Sequence, residues 1–187
     1  MLVFGSFAAA MFARSRGEEA LDAAYGVLYL GWPIVLLIWL RDLDSTVGLH
    51  WTVLVFAVAW SSDIMAYFVG STVGGPKLWP RFSPNKTWSG SAGGLAAAMA
   101  AGLGVAAVLT PGAEPEAVAL VAAAIGLAAQ CGDLMESFIK RRFAVKDASR
   151  LIPGHGGLLD RADGLIAAVP VAAALSLALG AGVVLWR

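Results

Sequence analysis

The sequence predicts an all-α, polytopic integral membrane protein with five full transmembrane helices and a short N-terminal apolar segment. Hydrophobic residues make up 59% of the 187 residues and charged residues only 14%, which is too apolar for an ordinary soluble domain. Apolar runs of about 20 residues recur, and a helix of that length crosses the hydrocarbon core of a bilayer. The formal net charge is zero, so no global basic surface indicates a nucleic-acid partner.

The full spans are predicted at residues 21–40, 49–69, 90–109, 117–139 and 165–186. An apolar run at residues 1–13 is shorter than a span. Arg14 and Arg16 follow this run, whereas a signal peptide carries its positive charge first, so the run is interpreted as a short or truncated first span. Within the third full span, Gly90 and Gly94 are predicted to allow close helix packing in a small-xxx-small pattern.

The distribution of basic residues predicts the orientation. If the six segments alternate across the membrane, 11 of the 13 Lys and Arg residues lie on one side, and only Arg41 and Arg187 lie on the other. Cytoplasmic loops carry an excess of Lys and Arg, so the charged loops are predicted to face the cytoplasm. These residues could simply set the topology and bind anionic headgroups. That reading does not explain the acidic residues among them.

The most charged stretch is the signature region, residues 131–163, with twelve Asp, Glu, Lys, Arg or His residues in thirty-three positions. Five of its polar residues follow one another at offsets that place them on one face of a helix: Asp133, Glu136, Ser137, Lys140 and Arg141. The only cysteine, Cys131, excludes a disulfide framework and a Cys/His zinc site, and it is expected to serve packing.

Two aspartates, Asp63 and Asp133, lie at or inside apolar runs and therefore need a partner. Carboxylates without a Cys or His cluster suit Mg²⁺, which takes one or two carboxylates and leaves its other positions to water and phosphate. Combined with many basic residues, they predict phosphate chemistry, in which metals and Lys or Arg stabilise the developing charge.

Two ordered blocks of residues form long gapped motifs. The first block consists of Ser137, Lys140, Arg141, Lys146, Asp147, Pro153, His155, Gly156, Gly157, Asp160, Arg161 and Asp163. The second block consists of Asp63, Ala66, Tyr67, Gly70, Ser83, Pro84, Lys86, Thr87, Trp88, Gly93 and Gly94. Both blocks resemble the signature of the phosphatidate cytidylyltransferases, also called CDP-diacylglycerol synthases. The one departure is Ala162 in the first block, where the family prefers a larger apolar residue or Thr.

The resemblance implies one membrane-embedded cytidylyltransferase domain over residues 1–187, shortened at its N-terminal side because the likeness begins near Tyr25. It implies the reaction of CTP with phosphatidate to give CDP-diacylglycerol and pyrophosphate, in the bacterial inner (cytoplasmic) membrane with the active-site loops facing the cytoplasm. Family likeness also suggests a homodimer.

The resemblance further assigns roles to individual residues. Asp133 and Asp160 would hold a pair of Mg²⁺ ions, with Asp63 a ligand or a carboxylate linked to them, while Ser137 and Lys140 share the catalytic face. The predicted substrate-binding residues are Lys86, Ser83, Thr87, Arg141, Lys146, His155 and Arg161.

The sequence also permits other interpretations of these residues and of the function. Asp133 and Asp160 could instead be ion-pair partners of Lys140 and Arg161. The lipid substrate could be another lipid phosphate, such as an isoprenoid or ether lipid, because the motifs describe phosphate and metal better than acyl chains. The chain could also be an inactive, truncated homologue that acts as an assembly partner. A transporter is disfavoured, since the charge clusters at one membrane face and not at the midplane.

Overall fold

The computed structural model describes residues 1–17, 19–143, 145 and 159–180, and for Ser45, Leu159, Asp160 and Arg161 the backbone alone. Within these ranges the chain forms six helices and two short strands. The helices are α1 Leu2–Ser15, α2 Ala20–Arg41, α3 Ser45–Thr72, α4 Trp88–Leu109, α5 Pro115–Arg142 and α6 Leu159–Ala178, and the strands are β1 Lys77–Trp79 and β2 Ser83–Thr87.

Four helices in the described ranges are long and apolar enough to cross a membrane, namely α2, α3, α4 and α5. They contain the first four predicted spans, and α1 is the short apolar helix expected at residues 1–13. The fifth predicted span, 165–186, coincides with α6 as far as Ala178, while its last residues lie outside the described part. The chain is therefore a helical, polytopic integral membrane protein.

The close contact between α3 and α4 depends on small residues. The buried residues of α4 recur every fourth position: Gly90, Gly94, Ala98, Gly102 and Ala106. A Cβ on Gly90 would lie 2.6 Å from the carbonyl oxygen of Ala66, and one on Gly94 would lie 2.7 Å from that of Ser62. Neither position has room for a side chain, which confirms the predicted small-xxx-small packing.

The strands β1 and β2 form an antiparallel hairpin between α3 and α4, an element that the sequence analysis did not predict. The hairpin ends where α4 begins, because Thr87 is the N-cap of α4 and its Oγ1 accepts a hydrogen bond from the N–H of Gly90 at 3.1 Å. The Thr87 side chain is buried. The hairpin is thus fixed directly to the first turn of a membrane helix.

The two ends of the helix bundle differ in their number of basic residues, and the end that carries the hairpin and the last turn of α5 is called the polar end. The hairpin contacts the C-terminal end of α5, where the rings of Phe82 and Phe138 pack edge to face with centroids 5.0 Å apart. At the opposite end, the Thr110 hydroxyl and His50 Nδ1 lie 3.3 Å apart and link α4 to α3. The basic residues of the hairpin and of α5 therefore lie at the same end, as alternation of the spans requires.

The last turns of α5 extend the bundle at this polar end. Its 28 residues make a helix of about 42 Å, whereas the hydrocarbon core is about 30 Å thick. Three cations, Lys140, Arg141 and Arg142, occupy its last turn, where they interact favourably with the helix dipole. Cys131, which was expected to serve packing, is exposed on α5 and does not belong to the buried core of this chain.

Candidate functional site

The candidate site is built around the C-terminal half of α5. This helix runs without a break to Arg142, so the predicted sharing of one helix face by Asp133, Glu136, Ser137 and Lys140 is supported by its backbone. The face is only partly accessible, because the side chains of Asp133 and Lys140 are 22% and 17% exposed. Carboxylates and cations therefore meet in a sheltered place at the polar end of the bundle.

The hairpin brings Lys86 directly to Asp133. The Lys86 ammonium forms a salt bridge with the Asp133 carboxylate, and both side chains are about three-quarters buried. This contact joins the second block to the signature region, residues 131–163, although the two are far apart in the chain. It also supplies Asp133 with the counter-charge that a carboxylate near a membrane span needs.

The position of Lys86 is fixed by its neighbours on both sides of the α4 N-terminus. The hydroxyls of Thr87 and Ser89 lie 3.0 Å apart, and the Ser89 hydroxyl donates a hydrogen bond to the carbonyl oxygen of Gly74. Gly74 has a φ of +66°, a backbone conformation that glycine adopts without strain. These contacts tie the loop before the hairpin to the first turn of α4 after it, so both ends of the hairpin that carries Lys86 are held.

Lys140 has a different ion-pair partner from the one considered from sequence. Its ammonium lies 3.5 Å from the Glu136 carboxylate, one helical turn earlier, whereas Asp133 pairs with Lys86. Asp133 thus forms an ion pair, as that alternative supposed, but its partner is Lys86 and not Lys140. The corresponding alternative for Asp160 and Arg161 falls on side chains outside the described part.

Glu136 is a site residue that the sequence analysis did not assign a role. It is 2% exposed and continues the buried stripe of α5 through Ala129 and Gly132. The signal was present in the sequence, because Glu136 falls at the next step of the same 3–4 spacing that buries the apolar residues before it. A carboxylate at a core position close to Lys140 indicates that this end of the core serves more than packing.

The first turns of α6 approach α5 beside Asp133. A Cβ on Gly132 would lie 2.6 Å from the Ala167 Cβ and 2.9 Å from the carbonyl oxygen of Asp163, so the two helices nearly touch there.

The side chain of Asp163 is within electrostatic range of Asp133, Glu136 and Asp63. Asp160 lies one turn before Asp163 on the same helix, and its backbone is therefore at the same end as Asp133.

A pocket opens between α3, α5 and α6 next to these carboxylates. It has a volume of about 330 Å³, including the part open to the surface. Its lining includes Trp60, Asp63, Gln130, Asp163 and Leu165. The pocket combines apolar walls with acidic and amide groups. Gln130 was not predicted as part of the site.

The described carboxylates have the right chemistry for Mg²⁺. Asp133, Asp163 and Asp63 provide hard oxygen donors, and Mg²⁺ is usually held by only one or two carboxylates together with water and phosphate. Among the described side chains, no group of three or more His, Cys, Asp or Glu residues is arranged as a preformed cage. A metal held at this end would share its coordination with water or a substrate.

The remaining predicted residues divide into two groups. Ser83 and Ser137 are half-buried at the same end, Arg141 is exposed on the last turn of α5, and the Thr87 hydroxyl is engaged as a helix cap. The substrate contacts of all four stay predictions. Lys146 and His155 lie outside the described residues, as do the side chains of Asp160 and Arg161.

Comparisons with known proteins found a matching family and several similar chains. A sequence profile described as "Cytidylyltransferase family" matches residues 1–179, which includes the N-terminal part that the resemblance left out. The chain is 53% identical over 146 residues to the phosphatidate cytidylyltransferase of Brucella abortus biovar 1, covering 78% of this chain and 53% of that protein.

More distant relatives carry the same description. The identity is 38% over 143 residues with the phosphatidate cytidylyltransferase of Bacillus subtilis (strain 168), covering 76% of this chain and 53% of that protein. The identity with the phosphatidate cytidylyltransferase of Staphylococcus saprophyticus is 35% over 151 residues, which cover 81% of this chain and 58% of that protein. The chain thus spans about half the length of the curated relatives it matches.

Proposed function

Because the chain belongs to the cytidylyltransferase family, we propose that it transfers the cytidylyl group of CTP to phosphatidate, giving CDP-diacylglycerol and pyrophosphate. The observation that carries this proposal is the meeting of Lys86 with Asp133 at the polar end of the bundle. It joins a cation suited to phosphate with a carboxylate suited to a metal. The names of the relatives supply the lipid substrate.

The proposed reaction is an in-line displacement. A phosphatidate oxygen forms a bond with the α-phosphorus of CTP, the bond from that phosphorus to the bridging oxygen breaks, and pyrophosphate leaves with the electron pair. Both reactants are anions, so their mutual repulsion must be offset. Lys86 and Lys140, each about three-quarters buried or more, would interact with phosphate more strongly than fully solvated cations would.

Asp133 and Asp160 are the residues that would hold Mg²⁺, with Asp63 beside them. Mg²⁺ supplies charge neutralisation for the transferred phosphoryl group when it is bound. The attacking phosphate oxygen is already ionised at neutral pH, so the reaction requires no general base from the protein. The work of the side chains is therefore to bind the two phosphates and to orient them.

We further place the protein in the bacterial inner membrane, with this site facing the cytoplasm. The excess of Lys and Arg at the end that carries the hairpin and the last turn of α5 supports this orientation. CTP is then available from the aqueous side. The acyl chains of phosphatidate could stay in the bilayer while its headgroup reaches the site.

Formation of CDP-lipid by the purified protein tests the proposal. Labelled CTP is incubated with phosphatidate with and without Mg²⁺, and Asp160→Asn serves as the blank. We expect product only with Mg²⁺ and only from the unmodified protein. A folded protein that makes no product from phosphatidate but does so from an isoprenoid or ether lipid phosphate would favour the other lipid class. Product that persists without divalent metal would contradict the metal role.

Lys86→Ala is expected to lower kcat/KM for CTP by about 10- to 100-fold, because it removes a sheltered charge from the phosphate site. Lys77→Ala is the matched control, since Lys77 is an exposed lysine on the other strand of the same hairpin. Steady-state kinetics with both variants at equal amounts of folded protein check this prediction. Equal losses in the two variants would show that Lys86 contributes only general surface charge.

A further inference from the structure

Gln130 connects three helices through the amide at the end of its side chain. From α5, its Nε2 donates hydrogen bonds to the Ser62 hydroxyl on α3 at 3.2 Å and to the carbonyl oxygen of Ser91 on α4 at 3.1 Å. The Ser91 hydroxyl in turn donates to Gln130 Oε1. Both N–H donors and the carbonyl acceptor of the amide are therefore in use.

The helices around the Gln130 amide leave space for it and bury its partner. The Ser62 side chain is 1% exposed, and Gly94 leaves the space that the amide fills, since a Cβ there would lie 2.9 Å from Gln130 Nε2. Hydrogen bonds between membrane helices have strict geometry, whereas apolar contacts permit sliding. The Gln130 amide thus opposes movement of α3, α4 and α5 along one another.

Each residue held by the amide is a near neighbour of a site residue. Ser62 directly precedes Asp63, Ser91 lies in the first turn of α4 just after Lys86, and Gln130 lies one turn before Asp133. A change in helix register at the amide would therefore move a carboxylate or the cation by a similar amount, because helices transmit axial shifts with little loss. Asp63 and Gln130 also line the same pocket.

We infer that Gln130 is a positioning residue, whose amide fixes the axial register of α3, α4 and α5 so that Asp63, Lys86 and Asp133 meet in reactive geometry. This inference rests on the proposed function. Gln130 acts through the helices that it joins, and no contact with substrate is required of it. A misplacement of about 1 Å can cost about 100-fold in rate.

Gln130→Leu removes the amide but keeps a side chain of similar size. We expect kcat to fall by about 10- to 100-fold, with KM for CTP changed by less than about threefold, because geometry and not binding is lost. The unfolding temperature should fall only slightly, because three hydrogen bonds are lost but the apolar contacts between the helices remain. Cys131→Ala, at the adjacent exposed position, is the control and should leave all three quantities unchanged. Unchanged kcat in Gln130→Leu would overturn the inference.

A double-variant cycle separates positioning from general packing. Ser91→Ala should cause a smaller loss in kcat, and Gln130→Leu combined with Ser91→Ala should lose no more than Gln130→Leu alone, because the two side chains act as one unit. Losses that multiply would contradict the shared clamp. Ser91→Ala removes only the hydroxyl that donates to Gln130 and is therefore expected to fold. If Gln130→Leu does not fold, the loss of kcat in Ser91→Ala tests the inference instead.

Hydrogen exchange provides a readout that does not depend on the proposed reaction. Backbone amides of β2, Ser83–Thr87, should exchange faster in Gln130→Leu than in the unmodified protein, because α5 is then free to shift away from the hairpin. Faster exchange in a protein that forms no CDP-lipid would uphold the clamp and reject the reaction. Unchanged exchange would overturn the clamp, whatever the activity.

Discussion

Asp133→Asn is expected to reduce formation of CDP-lipid by about a thousandfold or more, an effect as large as that expected of Asp160→Asn. The change removes both the counter-charge of Lys86 and a proposed metal ligand. The fold should persist, because Lys86 is 27% exposed and its ammonium can be hydrated when the carboxylate charge is lost. Turnover and thermal unfolding in the same preparation measure the two effects.

Two comparisons make this prediction specific to the site. Asp42→Asn is the matched control, since Asp42 is an exposed aspartate at the opposite end of the bundle, after α2. If Asp133 served only as the partner of Lys86, then Asp133→Asn and Lys86→Ala would lose equal activity. We expect Asp133→Asn to lose at least about tenfold more and to change the dependence on Mg²⁺. Equal losses with an unchanged Mg²⁺ dependence would remove Asp133 from the metal site.

Gly90→Ala is expected to have the largest effect on stability, about 1–3 kcal/mol of unfolding free energy. The added Cβ would meet the carbonyl oxygen of Ala66 at 2.6 Å and the Cα of Gly70 at 3.1 Å. Both obstacles are backbone, so no side-chain rotation relieves the overlap and α3 and α4 must separate. Unfolding in detergent, followed by circular dichroism at rising temperature, measures the loss.

Gly104→Ala is the matched control for that substitution. Gly104 is in the same helix, but its added Cβ would have no neighbour within 4 Å. Alanine favours the helix by about 0.5–1 kcal/mol over glycine, so this variant should be as stable as the unmodified protein or slightly more stable. If Gly90→Ala were equally well tolerated, the close approach of α3 and α4 would not contribute to stability.

The sequence predicts those features of the fold that depend on local pattern. Apolar runs of span length predicted the helices up to α5, because a backbone in hydrocarbon must satisfy its hydrogen bonds within one segment. The small residues at Gly90 and Gly94 predicted a close helix contact, although not which helix would supply it. The charged face of α5 followed from helical periodicity alone.

The sequence did not reveal how these elements combine into a site. The hairpin β1–β2 was not predicted, because strands of three and five residues carry almost no period-2 pattern, and Pro80 lies between them and Pro84 inside β2. Glu136 was placed on the polar face but not recognised as buried. Gln130 received no role, since a single polar residue in an apolar run has many possible partners and only packing selects among them.

The sequence by itself determined the membrane class, the positions of four spans, the polar end of the bundle and the family. The tertiary structure alone decided that Asp133 pairs with Lys86 and Lys140 with Glu136, and that Gln130 joins Ser62 to Ser91. The physical reason is the separation along the chain over which each kind of interaction acts. Hydropathy and helical period act over neighbouring residues, whereas these contacts depend on the register of helices packed against one another, which only the complete set of packing contacts defines.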